Sequence, residues 1–311
     1  MIENGWPALP YEEWRATRDT LHMYTQVLGK LRLALSPFEP EWGNVPLYLT
    51  ARGLTTSPMP VGLRAVDADL DLIEHVLVLR SSDGRVERLP LGGAVADLYS
   101  DVVGALTRLQ VDVTISVLPS EVADPIPFPD DREHATYDTR QVERFFHVLS
   151  MIDLIFKEHR AAFRGRSTPV QFFWGTFDLA LMRYSGRAVT PPPGAGVIAR
   201  FGGDAEAICT GWWPGDERVP YPAFYAYGFP KPTGLHEARI APPGAEWNRA
   251  AGEFLLPYET ARSASDPEQD ILDFARSSYA AAASLMSWDP ELTAVAVPPA
   301  PGGAGVAAAR R

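Results

Sequence analysis

Residues 20–35 of the chain read TLHMYTQVLGKLRLAL. Five apolar side chains recur in this stretch at three- and four-residue steps: Leu21, Tyr24, Leu28, Leu31 and Leu35. That spacing places them on one side of a helix. Pro10 precedes the stretch and Pro37 follows it, and proline marks the ends of helices. The sequence therefore predicts a long helix within residues 7–37, with an apolar side that must pack on the rest of the fold.

Short extended segments and three further helix signals follow. Alternating or continuous apolar runs predict strands, and apolar residues at helical spacing predict helices. In chain order we expect strands at 45–52, 63–72, 75–80 and 86–91, a helix at 93–109, a strand at 111–118, a helix at 138–164, strands at 170–174, 179–184, 207–213, 223–229 and 253–256, and a helix at 267–287.

This order predicts an α+β fold of mostly antiparallel sheets with long packing helices, because the connections between strands are short. We expect an N-terminal α+β half at 6–130 and a C-terminal α+β half at 131–288. The Pro-, Ala- and Gly-rich residues 289–311 are expected to be a disordered tail. Both halves read helix, strands, helix. Either the two halves are related by duplication, or they share an order of helices and strands that many α+β proteins have.

Composition excludes several classes of protein. The 311 residues contain 28 Lys and Arg against 39 Asp and Glu, a net charge of −11, which argues against nucleic-acid binding. The single cysteine, Cys209, excludes an intrachain disulfide. No apolar run is long enough for a membrane span and no signal peptide is evident, so we expect a soluble, cytoplasmic protein without a membrane partner.

Polar residues at four-residue steps on the first helix form one candidate site. His22, Gln26 and Lys30 lie opposite the apolar stripe, and Arg32 lies near its edge. One interpretation is a solvated helix face. The other is a pocket in which His22 acts as general acid or base, Lys30 and Arg32 hold an anion, and Gln26 orients it.

The densest aromatic run, FFWGTFD at 172–178, forms a second candidate. Its rings form core, or together with Trp212, Trp213, Tyr225 and Tyr227 they wall a ligand cavity. Asp178 is not easily buried without a partner. Glu253, at the start of an apolar strand, either pairs with Arg32 or Arg183 or serves as a site base. No P-loop, dinucleotide-binding, zinc-protease or nucleophile-elbow motif is present, and we expect neither a metal nor a cofactor.

The chain also resembles a known family. Four segments carry the resemblance: WPxLPYxxW at 6–14, TLHxxTQxxGKxRL at 20–33, FFWGxFDLA at 172–180 and GEFLLPY at 252–258. They are similar to motifs of a bacterial domain-of-unknown-function family, and the resemblance covers about residues 6–288. It implies no established activity. Its motif segments include polar residues with no evident structural duty, among them Arg52, Asp178 and Arg187, which favours a protein with a pocket over a scaffold.

From these observations we expect a cofactor-independent enzyme acting on a small, anionic metabolite. The expected catalytic residues are His22, Lys30, Asp178 and Glu253. The expected substrate-binding residues are Gln26, Arg32, Arg52, Trp174, Arg187 and Tyr225. The alternatives are a binding or sensing protein that uses the same pocket without chemistry, and an interaction subunit whose aromatic surfaces meet a partner.

Overall fold

The computed structural model describes residues 5–191 and 193–293. These residues form six α-helices and two antiparallel sheets of six strands each, so the predicted α+β class is confirmed. No helix within the described ranges is long and apolar enough to cross a membrane. The helices are α1 (Tyr11–Leu35), α2 (Val95–Arg108), α3 (Thr139–Ala161), α4 (Val197–Gly202), α5 (Tyr258–Arg262) and α6 (Pro267–Leu285).

The N-terminal sheet is a meander. Its strands are β1 (Tyr48–Thr50), β2 (Gly53–Thr55), β3 (Met59–Val61), β4 (Arg64–Asp71), β5 (Val76–Ser81) and β6 (Val86–Pro90). They lie in the order β1-β2-β4-β5-β6, and β3 pairs with β4 on the same edge as β2. Short turns join successive strands, which is why all pairs are antiparallel.

The C-terminal sheet contains β7 (Gln171–Phe173), β8 (Asp178–Ala188), β9 (Ala205–Trp213), β10 (Ala223–Phe229), β11 (Glu246–Asn248) and β12 (Glu253–Pro257). The strand order is β11-β12-β10-β9-β8-β7. Side chains alternate between the two faces of a strand. One face carries the aligned row Leu179, Trp212, Phe224 and Leu256, which is buried in the main core beneath α3 and α6.

A single backbone bridge joins the two sheets. The Leu47 N–H donates to the Phe172 carbonyl at 2.8 Å, and the Phe172 N–H donates back to the Leu47 carbonyl at 2.9 Å. The first strands of the two halves therefore meet side by side. One hydrophobic cluster then continues from the N-terminal sheet through the helices to the C-terminal sheet.

Helix α1 runs through the interior of the molecule. Every residue from Thr20 to Arg32 is buried, including the polar side chains of His22, Gln26 and Lys30. The interpretation of this polar side as a solvated face is therefore wrong. Amphipathic spacing identified the helix but could not show that its polar side is also covered by protein.

One expected strand is absent from the described structure. Residues 111–118 pair with no strand, and their alternation has another origin. Val111, Val113 and Ile115 pack on the main core while the intervening residues are more exposed, so an unpaired extended segment gives the same pattern as a strand. Of the expected tail, Pro290–Leu292 forms one 3₁₀ turn, and 294–311 lie outside the described residues.

Candidate functional site

The outer face of the C-terminal sheet, opposite the core, carries a cavity of about 320 Å³. Alternation places residues 178, 180 and 182 of β8, residues 209, 211 and 213 of β9, and residues 225 and 227 of β10 on this face. The cavity lining consists of Phe173, Thr176, Asp178, Ala180, Met182, Cys209, Trp213, Asp216, Arg218, Tyr225, Tyr227 and Glu253. A face that most antiparallel sheets leave to solvent thus holds a concave site.

The cavity floor depends on a glycine. Tyr225 lies directly across from Gly211 in the β9–β10 register, and Gly211 lies across from Ala180 on β8. A Cβ added at Gly211 would overlap the Tyr225 ring. Because Gly211 has no side chain, the ring lies over the β9 backbone and reaches β8.

On β8, Asp178 Oδ2 accepts a hydrogen bond from the Tyr225 hydroxyl. The Thr176 hydroxyl donates to Asp178 Oδ1. Each carboxylate oxygen therefore has a neutral donor, which fixes the orientation of the carboxylate within the cavity wall.

Asp178 is a buried carboxyl group without a cationic partner. Its residue surface is only 7% exposed, and no Lys, Arg or His of the described residues forms an ion pair with it. Burial raises the pKa of Asp178 to about 6, helped by the charge of Glu121 and opposed by the Thr176 and Tyr225 hydroxyls. The carboxyl therefore titrates just below neutral pH.

Glu253, at the start of β12, is the second carboxyl group of the cavity. Burial and the charge of Asp178 together raise the pKa of Glu253 to about 7, against a lowering by Lys231. No side chain in the described ranges donates a hydrogen bond to this carboxyl. Near pH 7 the cavity thus contains one mostly ionised and one half-protonated acid.

Aromatic rings form most of the remaining wall. The Trp213 and Tyr225 ring centroids are 5.3 Å apart at an interplanar angle of 54°, and Tyr227 lies parallel to Tyr225 at 6.3 Å. Phe173 stands opposite Asp178 in the β7–β8 register. Such walls bind flat or apolar ligand bodies.

The loop between β9 and β10 supplies the polar rim. The Asp216 carboxylate accepts hydrogen bonds from the backbone N–H groups of Arg218 and Val219 and pairs with the Arg218 guanidinium at 2.6 Å. Asp216 is therefore already neutralised by its own loop. The cavity also contains the Cys209 thiol, whose pKa is raised by burial, so the thiol is not an activated nucleophile.

The polar residues of α1 lie outside this cavity, at the turn that leads into it. His22 Nε2 lies 3.0 Å from both the Trp174 and the Gly175 carbonyl oxygens and 3.2 Å from the Gln26 amide nitrogen. Because the two carbonyls can only accept, we assign the ring proton to Nε2. Burial, with Arg18 nearby, lowers the pKa of His22 to about 3, so the ring is neutral at physiological pH. A neutral, doubly engaged imidazole is suited to holding the turn.

Gln26 and Lys30 extend this contact through Ser120. The Gln26 amide donates to the Ser120 carbonyl at 2.8 Å and accepts from its N–H at 3.0 Å. Lys30 Nζ donates to Ser120 Oγ at 2.8 Å and lies 5.7 Å from the centroid of the Trp174 ring. These α1 side chains fix the turn at 174–177, which carries Thr176 and leads directly to Asp178.

The remaining predicted residues are dispersed. Arg32 donates to the Thr56 and Gly43 carbonyls, and the Trp174 indole donates to the Val45 carbonyl at 2.8 Å within the core. Arg52 pairs with carboxylates on the N-terminal sheet, and Arg187 pairs with Glu206 at 2.7 Å. None of these residues lines the cavity. Asp178, Glu253 and Tyr225 do line it, so the structure brings together three of the ten predicted residues there.

A family model described as a family of unknown function, DUF5996, matches residues 6–295. The chain belongs to this family. No curated protein and no solved structure matches the chain. The DUF5996 match spans both sheets and every residue of the cavity lining.

Sequence reasoning named Trp213 and Tyr227 among the rings of a cavity wall in this DUF5996 chain, but it missed Thr176, Asp216 and Arg218 of the lining and Gly211 beneath the Tyr225 ring. The available signal was period-two alternation, which places 209, 211 and 213 on one side of their strand and 225 and 227 on one side of the next strand. Alternation does not tell which face is covered by helices, so the outer face could not be chosen. Within 5–191 and 193–293, no three His, Cys, Asp or Glu side chains are grouped to hold a metal ion.

Proposed function

We propose that this protein binds a small molecule in the cavity on the outer face of the C-terminal sheet. The observation that carries the proposal is the buried Asp178 carboxylate, oriented by two hydroxyl donors and facing a cavity with aromatic walls. The cavity volume of about 320 Å³ lies at the lower end of the range for small-molecule sites, about 300–1,000 Å³.

The cavity has both an aromatic wall and a pair of carboxyl groups, which supports this proposal. The rings of Phe173, Trp213 and Tyr227 would cover the ligand body, while Asp178 and Glu253 would fix its polar end. Asp178 needs little rearrangement, because Thr176 and Tyr225 already hold it in place. A polar group that is oriented before binding lowers the ordering cost of association.

Acid–base catalysis is a second candidate, favoured by the titration of the same two carboxyls near neutral pH. A mostly ionised Asp178 would accept a proton from the substrate while a partly protonated Glu253 donates one. Catalysis by His22 is not favoured, since its single ring proton is shared between two backbone carbonyls and its pKa lies far below neutral.

The proposal differs in place from the sequence-based expectation of an anion site on α1. It retains a small-molecule ligand and a cytoplasmic location, which fractionation of the source cells would test. It includes no nucleic-acid partner, given the net charge of −11.

A variant that blocks the cavity tests the proposal. We would incubate the full chain with a mixed panel of cationic, neutral and anionic metabolites and identify retained compounds by equilibrium dialysis and mass spectrometry. Gly211→Ala should abolish the retention of a cavity ligand, because the added methyl displaces Tyr225. Gly104→Ala, at a half-buried position of α2 where the added methyl meets only the end of the Arg108 side chain, serves as the matched control. A ligand retained equally by both variants would show that the cavity is not its site.

A further inference from the structure

We infer that the ligand of this cavity is a small organic cation, a protonated amine carried on a flat or apolar body. This inference rests on the proposed function and specifies its ligand class. Charge, aromatic surface and hydrogen-bonding capacity each support it independently.

Two carboxyl groups of the cavity, Asp178 and Glu253, form no ion pair with a described Lys, Arg or His side chain. The cavity lining contains three carboxyls, Asp178, Asp216 and Glu253, against one guanidinium, Arg218, which is occupied by Asp216. Lys231 influences Glu253 only through space and does not hydrogen-bond to it. A buried carboxylate without a cationic partner is costly, and a bound ammonium group would supply that partner. The net charge of −11 also attracts cations and repels anions.

The aromatic walls also lack a cation. Elsewhere among the described residues, eight pairings place a Lys or Arg cation over an aromatic ring. Lys231, for example, lies 5.2 Å from the centroid of the Trp247 ring. None of these pairings involves the four cavity rings, Phe173, Trp213, Tyr225 and Tyr227. Rings beside unpaired carboxylates form the arrangement that recognises organic ammonium groups.

The hydrogen-bonding capacity favours an amine with N–H donors. A carboxylate offers about four acceptor sites, and the Thr176 and Tyr225 hydroxyls use two of those on Asp178. Glu253 accepts no hydrogen bond from a described side chain. The cavity therefore has acceptors to offer, as an ammonium requires. Its walls present no free cation to a carboxylate or phosphate ligand, because Arg218 is paired.

Three probes that share one body and differ in charge test the inference. Isothermal titration at pH 8, where both carboxyls are ionised, would compare 2-phenylethylammonium, 2-phenylethanol and 3-phenylpropanoate. We expect the ammonium to bind at least about 10-fold more tightly than the alcohol, since a charge-assisted hydrogen bond contributes about 1.5–3 kcal/mol. We expect no measurable binding of the carboxylate.

Variants connect the preference to the cavity. Asp178→Asn should weaken ammonium binding by about 10-fold or more and leave alcohol binding within about 2-fold, because it removes charge but little volume. Asp112→Asn, an exposed carboxylate outside the cavity, removes the same charge and should leave all affinities unchanged. Near-ultraviolet circular dichroism would verify that both variants are folded.

The outcomes separate the inference from the proposed function. If the alcohol binds as tightly as the ammonium, and Gly211→Ala removes both, the cavity is the site but the cation inference is overturned. If the carboxylate binds best, it is also overturned. If none of the three probes binds at millimolar concentration, the inference fails, while retention of a different metabolite in the dialysis panel would still support the proposed site.

Discussion

Replacing the buried carboxyl of the cavity should change how stability depends on pH. Burial raises the pKa of Asp178 from its ordinary value of 3.8 to about 6. The folded state therefore favours the protonated form. Its contribution to stability is complete below pH 3.8 and is lost as the pH rises to 6. Asp178→Asn is neutral at every pH and avoids this loss.

The magnitude follows from the two pKa values. Between pH 4.5 and pH 8, ionisation of Asp178 should lower the free energy of unfolding of the wild type by about 2 kcal/mol relative to the Asn variant. Glu253 acts in the same direction, because the charge of Asp178 contributes to its raised pKa and is absent from the variant. The value of about 2 kcal/mol is thus a lower bound.

Urea unfolding followed by tryptophan fluorescence at both pH values measures this change. The constant cost of altered hydrogen bonding with Thr176 and Tyr225 cancels when the difference between the two proteins is compared across pH. Asp112→Asn, at an exposed carboxylate outside the cavity, is unfolded in parallel as the control. A difference that stays constant between pH 4.5 and pH 8, or moves in favour of the wild type, would refute the description of Asp178 as a buried, unpaired carboxyl.

Three further substitutions test other parts of the structure. Gly211→Ala should lower the free energy of unfolding by about 1–3 kcal/mol through overlap with Tyr225, whereas Gly104→Ala within a helix should raise it by about 0.5–1 kcal/mol. Urea titration measures both changes, and equal effects would contradict the close approach of the Tyr225 ring to Gly211. Between pH 7.5 and pH 5 the free energy of unfolding of the wild type should fall by about 2 kcal/mol, because a group with a lowered His pKa costs stability as the pH falls below 6.5. His22→Gln should not show this fall, and identical pH profiles for the two proteins would contradict a buried neutral ring. Arg52→Ala should lower the Tm, since it removes the guanidinium partner of the buried Asp71 carboxylate, and should leave the probe affinities unchanged; a loss of binding would show that Arg52 belongs to the site.

Sequence periodicity predicted most of the fold for a physical reason. Each long helix has at least one side in the core, and the longer strands each have a covered face, so apolar spacing reports these elements directly. The segment at 111–118 shows the corresponding weakness. Packing of Val113 and Ile115 on the core produces alternation without any strand partner, and only the three-dimensional structure reveals the missing hydrogen bonds.

The candidate site was harder to predict because burial of polar groups leaves no periodic signal. His22, Gln26 and Lys30 were recognised as a set, yet their partners are backbone carbonyls and a serine about 90–150 residues away in the chain. Asp178 and Glu253 were singled out individually as carboxyls in apolar surroundings. Their presence in one cavity depends on the order β12-β10-β9-β8, which no local pattern specifies.

The burial of α1 has a consequence for the time course of synthesis. This helix is made before the other described helices and strands, but the Trp174 and Gly175 carbonyls that engage His22 are made about 150 residues later. At typical translation rates, that interval is on the order of 10 s. Arg32, Tyr24 and Gln26 meet their partners at Thr56, Gly93 and Ser120 earlier in this interval, whereas His22 stays without its carbonyl partners until the end of it. Helix α1 can therefore pack on the N-terminal sheet and α2 before the turn at 174–177 completes the wall of the cavity.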